Sequence, residues 1–178
     1  LIMTTMTITL EQVRAWHPCP DYTDERLAEL AAGRESITPL EALDLPIPAK
    51  DRVWLLTQRG ALPDAVRRQW VEVVVSRAVR EHSLACGIAQ VEEWAARWLA
   101  GDTEAKTWNA PRAARTWIPI NRREGVWKAT SAAAWAAVSD AREALLWSEA
   151  AAKPQDHAER DRQIADLRAI LAAQAAPA

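Results

Sequence analysis

The chain has 178 residues, of which 49% are apolar and 26% charged, and its formal net charge is −2. That composition is globular, long enough to bury a core without disulfides or metal, and too near neutrality for bulk binding to nucleic acid or anionic lipid. Ten tryptophans stand against one tyrosine and no phenylalanine. Set among alanines and leucines at helical spacing, Trp is the bulky filler and Ala the close-contact surface between helices.

In chain order, residues 1–6 stand outside the fold argument, and Leu1 to Leu10 lacks the basic region that opens a signal peptide. Thr9-Leu10-Glu11-Gln12 reads as a capping box for a helix to about His17, stopped by Pro18 and Pro20. A second helix follows Thr23 and ends at Gly33. Thr38-Pro39-Leu40-Glu41 is the clearest start signal, with a Thr cap, Pro at N1 and Glu at N3; Pro46 and Pro48 end that helix early. Residues 49–58 form a fourth helix, closed by Gly60.

Pro63 opens the longest apolar helix, to about Ala85. Val66, Trp70, Val71, Val73, Val74, Val75 and Ala78 cover more than half its circumference, which makes it central. Residues 88–100 place Ile88, Val91, Trp94, Ala95 and Trp98 on one stripe before Gly101. Residues 102–125 break the period twice, at Pro111 and Pro119, and read as a broken helix and a loop. Regularity returns from Val126 to Ala152 as a single helix, with Trp127, Ser131, Ala134, Val138, Ala141 and Leu145 on one face. Pro154 precedes a last helix, about 155–174, whose narrow stripe is Ile164, Leu167 and Leu171. About eight helices and no strand signal predict an all-α bundle: a short-helix region, 1–60, and a Trp/Ala-rich bundle, 61–178, as one compact domain.

Three stretches carry a resemblance. They are Arg67-Arg68-Gln69-Trp70-Val71-Glu72-Val73-Val74-Val75-Ser76-Arg77-Ala78-Val79, then Val91-Glu92-Glu93-Trp94-Ala95-Ala96-Arg97-Trp98-Leu99-Ala100-Gly101-Asp102, and the Ala/Trp helix followed by Glu159-Arg160-Asp161-Arg162-Gln163-Ile164-Ala165-Asp166-Leu167-Arg168. Over roughly half the chain it resembles a family of alanine-rich helical immunity proteins of bacteria and phages, some encoded near polymorphic toxins (a fold-level analogy). The resemblance implies a helical protein that binds another protein and carries over no catalytic residue. Residues 107–125, with two prolines and two tryptophans, depart from the family's continuous Ala-rich helix.

The departing segment is also the basic one. Across 104–128, Lys106, Arg112, Arg115, Arg122, Arg123 and Lys128 face only Glu104 and Glu124, a local charge of +4, interleaved with Trp108, Trp117 and Trp127. Trp and Arg join large burial to directional hydrogen bonds, so they dominate binding hot spots. The blander reading makes these tryptophans core plugs and the arginines solvated loop. Elsewhere, Arg77 falls within the apolar stripe of the central helix, where it needs a partner, and Glu81 lies one turn on. His17, His82 and His157 are scattered, and no His or Cys pair has metal-ligand spacing. Cys19 and Cys86 read as unpaired thiols of a reducing compartment. Glu92 and Glu93 point to different helix faces. Trp147 lies opposite the stripe of its helix, to be covered by the last helix or left for a partner.

The expectation is a cytoplasmic, non-enzymatic inhibitor without metal or cofactor and without a membrane segment. It would occlude a partner with an acidic surface, such as a toxin or a defence-complex subunit, in the manner of an immunity protein or a phage anti-defence (anti-CRISPR) protein. Its contact residues would be Trp108, Arg112, Arg115, Trp117, Arg122 and Arg123. The alternative is nucleic-acid binding by the same segment. Two further readings are an enzyme with a pocket around Arg77, Glu81 and His82, and an oligomer subunit with an exposed Trp/Leu patch.

Overall fold

The computed structural model describes residues 6–119, 124–137, 140–152 and 158–175. The fold is mainly all-α, with ten helices among these residues. Threonine caps start the first three. Thr9 caps α1 (Leu10–Ala15), Thr23 caps α2 (Asp24–Ala31) and Thr38 caps α3 (Pro39–Leu43). At Thr9 and Thr38 the box is reciprocal: Gln12 and Glu41 accept from the cap backbone at 2.8 and 2.6 Å. One element is not expected from the sequence. β1 (Ile8–Thr9) pairs antiparallel with β2 (Ser36–Ile37), matching Ile8 with Ile37. Two residues are too short for a period-2 signal, and the pairing exists because Ile8 is buried beside α4.

After α4 (Ala49–Thr57), α5 (Asp64–His82) runs through the centre. Its valines make a helix rather than a strand because they fall on two ridges, each at i, i+4 spacing. Val66, Trp70 and Val74 enter a first core with Leu43, Leu56, Leu62, Leu145 and Leu167. Val71, Val75 and Val79 enter a second with Trp94, Trp98, Ile118, Ala132 and Ala144. Val73 lies between the ridges and the solvent, partly exposed. The helix ends at Ser83, short of Ala85.

The second core is walled by α6 (Ala89–Leu99), α7 (Asn109–Arg115), α8 (Gly125–Ala137) and α9 (Ala141–Ala151). The single helix expected over 126–152 is in fact two. Asp140 starts α9 by accepting from the Glu143 backbone at 3.1 Å, an N-cap that ends any continuous reading. Of the expected stripe, Val138 lies outside the described residues, as does Pro154. α8 and α9 pack against each other closely because most of their buried side chains are small, among them Ala129, Ala132, Ala133 and Ala134 on α8 and Ala141, Ala144 and Ala151 on α9. The hydroxyls buried with them turn back to their own helices: Ser131 to the Trp127 carbonyl at 2.8 Å, Ser148 to that of Ala144 at 2.8 Å. They leave no unsatisfied donor in the seam.

α10 (Ala158–Ala175) buries Ile164, Leu167 and Ile170, with Leu171 half-buried beside them. It also buries Glu159 and Gln163, which a narrow apolar stripe did not foretell. The fully buried Trp70 donates its indole N–H to the Gln163 carbonyl at 2.8 Å, and the Gln163 amide reaches the Leu145 carbonyl at 3.2 Å. Arg77 donates to Glu159 at 2.8 Å and to Asp166 at 2.7 Å. Its partners are therefore on α10, not Glu81 one turn away: the guanidinium points into the packing seam, while Glu81 points outward to Arg162.

The close α8–α9 seam makes a direct prediction. Ala144→Leu should destabilise the protein by about 1–3 kcal/mol in urea unfolding, because added methylenes must displace a facing backbone. An unchanged midpoint would show that the two helices are not in tight contact.

Candidate functional site

The basic segment is built on a pinned turn. Arg97 forks to Asp102 at 2.6 Å and Glu104 at 2.9 Å. The other Asp102 oxygen accepts from the backbones of Glu104 and Ala105, at 2.8 and 3.2 Å. Trp94 donates its indole N–H to the Ala105 carbonyl at 3.0 Å. The chain thus enters α7 from a fixed point. Lys106 pairs with Glu72 and lies 5.5 Å from the Trp98 ring.

α7 is anchored by an inward ridge of Pro111, Ala114 and Ile118, all buried. Pro111 is tolerated because it sits in the first turn, where the missing N–H has no intrahelical acceptor. The flanking tryptophans pack on the bundle. Trp108 meets Trp135 edge-on at 5.3 Å, and Trp127 meets Trp147 at 5.2 Å. Arginines cover their faces: Arg112 stands 5.2 Å from Trp108 and Arg115 4.2 Å from Trp127. Trp147 is therefore packed on α8 through Trp127.

Trp117 differs. It is 57% exposed, and of the ten tryptophans, all among the described residues, it alone is exposed. The ridge explains this: with Ile118 turned into the core, its neighbour in the turn projects away. Of the six expected contact residues, Trp108 and Arg115 are half-buried in stacked pairs, while Arg112 and Trp117 are exposed. Arg122 and Arg123 lie outside the described residues. Lys128 faces Glu124 at 4.0 Å.

Arg77 and Glu81 do not pair with each other but are linked through Glu159 and Arg162, which meet at 2.9 Å, with His82 close to that network. Arg77 turns to Glu159 and Asp166, and Glu81 to Arg162. The His82 ring lies against Gly125, where an added Cβ would stand 2.8 Å from Nδ1. Burial pushes the His82 imidazole below its ordinary pKa, against the pull of Glu81 and Glu159. His17 is exposed and His157 lies outside the described residues. Among the described residues no three His, Cys, Asp or Glu side chains come together to hold a metal ion. No described helix is long and apolar enough to cross a membrane.

Sequence reasoning missed an apolar cavity in the N-terminal half, lined by α1, α2, α4 and the two strands. Tyr22 and Asp51 meet on its wall, the Tyr22 hydroxyl donating at 2.6 Å. The available signal was slight: Tyr22 is the only tyrosine in the chain.

Comparison with protein-family models, with curated proteins and with solved structures finds no match.

Two predictions follow from this geometry. Trp117→Ala should leave the urea midpoint within about 0.5 kcal/mol of the parent. Trp127→Ala should cost at least about 2 kcal/mol, since it opens a void beside Trp147. Equal losses would mean that Trp117 is also a packing residue. The second concerns pH. A lowered folded-state pKa means that the unfolded chain binds the His82 proton more tightly. That stability is fully present above the unfolded imidazole value of about 6.5 and is lost as pH falls below it. His82→Gln should flatten the decline in unfolding free energy between about pH 7.5 and 5.5. A slope unchanged by the substitution would remove His82 as its source.

Proposed function

We propose that this protein is a non-enzymatic inhibitor that occludes a partner protein, docking through the segment 104–128. The observation that carries the reading is Trp117, a single exposed tryptophan in a chain that packs its other nine. Leaving a large aromatic in water forfeits the burial that the other nine obtain, and an interface restores it. Residues 104–119 support such a role because they are held in place before binding: the Arg97 fork fixes their start, and Pro111, Ala114 and Ile118 fix their inner side. A preformed contact avoids the entropy of ordering a loop on association. Exposed Arg112, with Arg122 and Arg123 further along the chain, favours a partner with an acidic surface.

The mechanism asks only for shape and charge complementarity. A toxin or a subunit of a defence complex, met in the cytoplasm, is the class of partner this proposal names. Reversal of Arg115 is a poor test, because Arg115 also covers Trp127. Trp117→Ala is better, since that side chain is exposed; Arg112→Glu also gives up the stack on Trp108, so it is read only where circular dichroism shows the parent fold.

The test is affinity capture from lysate of the producing cells, with and without nuclease, followed by a binding titration. One stoichiometric protein should survive nuclease. Its affinity should fall about thirty-fold or more with Trp117→Ala, the loss of a hot-spot residue worth about 2 kcal/mol. Capture that disappears with nuclease would instead assign the segment to nucleic acid. A captured protein bound equally by Trp117→Ala and Arg112→Glu would place the contact elsewhere.

A further inference from the structure

The cavity beside Tyr22 and Asp51 lies outside the segment just discussed and has a chemistry of its own. It lies between α1, α2, α4 and the two strands. The enclosed volume is about 70 Å³, open on one side, and Val13, Leu27, Leu30, Ile37, Leu45 and Trp54 give it an apolar wall. That is room for about five water molecules, or for most of one aromatic ring or short alkyl chain.

Few polar groups reach this wall, and their charges do not balance. Tyr22 Oη donates to Asp51 Oδ2 at 2.6 Å. Burial first, and then this bond, raises the Tyr22 pKa above its ordinary value, so the hydroxyl keeps its proton and stays committed to Asp51. Among the described residues, no Lys or Arg forms an ion pair with Asp51; Arg26 acts on Tyr22 from nearby, but it is paired with Glu29 at 3.0 Å. Arg34 lines the same cavity, but its guanidinium is taken up by Glu41 at 3.3 Å and by the Ala31 carbonyl at 3.0 Å. Glu35 adds a second carboxylate. An apolar cavity with aromatic side chains and surplus negative charge is complementary to one kind of small molecule.

We infer that this cavity binds a small organic amine, its apolar body against Leu27, Leu30 and Trp54 and its ammonium on the Asp51 carboxylate. The ammonium supplies the cation that Asp51 lacks, and Trp54 adds an aromatic side chain to the lining around the organic body. An alcohol of the same shape gains the apolar contact and leaves the carboxylate without a counter-charge. A carboxylic acid meets like charge.

The test uses the full chain in amide NMR titrations with benzylamine and benzyl alcohol. Benzylamine should shift the resonances of Leu27, Leu30 and Trp54 saturably. It should bind at least about ten-fold tighter than benzyl alcohol, the worth of one charge-assisted hydrogen bond. Asp51→Asn should abolish that preference. Tyr22→Phe, which frees the second carboxylate oxygen, should retain it. No saturable shift, shifts confined to other residues, equal affinities for amine and alcohol, or a preference that survives Asp51→Asn would each overturn the inference. Should Asp51→Asn fail to fold by circular dichroism, the amine-to-alcohol ratio in the parent and in Tyr22→Phe decides.

Discussion

The Arg77 side chain is 18% exposed, and its guanidinium is divided between Glu159, 4% exposed, and Asp166. The three charges join the middle of the central helix to the inward stripe of the last one. Glu159, Gln163 and Asp166 follow one another at helical spacing, so a shift of α10 by one turn would take Glu159 and Asp166 away from Arg77 and leave buried Glu159 only Arg162 of its own helix, at 2.9 Å. Trp70 and Gln163 extend the same seam through two more hydrogen bonds. The desolvation cost of such groups offsets much of their attraction, so their main effect is on register. Register matters because α10 also carries Ile164, Leu167 and Ile170 into the first core, and Arg168 to Asp44 beside α3. Through α10 the short helices of the first sixty residues share a core with α5 and α9.

The second core obeys a different constraint. Alanines let α8 and α9 approach closely, and the remaining volume is filled by tryptophans that meet in pairs: Trp94 with Trp98, Trp108 with Trp135, Trp127 with Trp147. Trp108 and Trp127, half-buried at the margin of this core, each have an Arg over the ring, and Lys106 stands over the buried Trp98. The basic, aromatic look of 104–128 is thus largely a property of how the core is finished. Trp117 is the residue this account leaves over, which is why the proposed contact rests on it rather than on the segment's charge.

Much of the fold was legible. Thr9, Thr23 and Thr38 announced three helices through cap chemistry that acts within four residues, and the two ridges of α5 were written in its valine spacing. What escaped depended on distance or on interruption. The break before α9 was hidden because alanine on both sides preserves an apolar pattern across it, although Asp140 followed by Glu143 was a readable start signal. Arg77 visibly needed a partner, yet Glu159 and Asp166 are more than eighty residues away, and no local rule reaches them. For Trp117 the signal was present and unused: Pro111, Ala114 and Ile118 define an inner ridge, and a residue adjacent to that ridge must face out. The Tyr22–Asp51 cavity is a gap between elements, which no single stretch of sequence encodes.

The clamp between α5 and α10 is tested most directly by a double-mutant cycle of Arg77→Met and Glu159→Gln in urea unfolding. Arg77→Met takes the shared cation from Glu159 and Asp166 and should cost about 3–5 kcal/mol, whereas Glu159→Gln leaves Arg77 with Asp166 and should cost less, about 1–3 kcal/mol. The double variant strands neither in full, so its cost should fall short of the sum by about 1 kcal/mol or more. Additivity within about 0.5 kcal/mol would mean that the two residues act independently and that something other than this ion pair sets the position of α10.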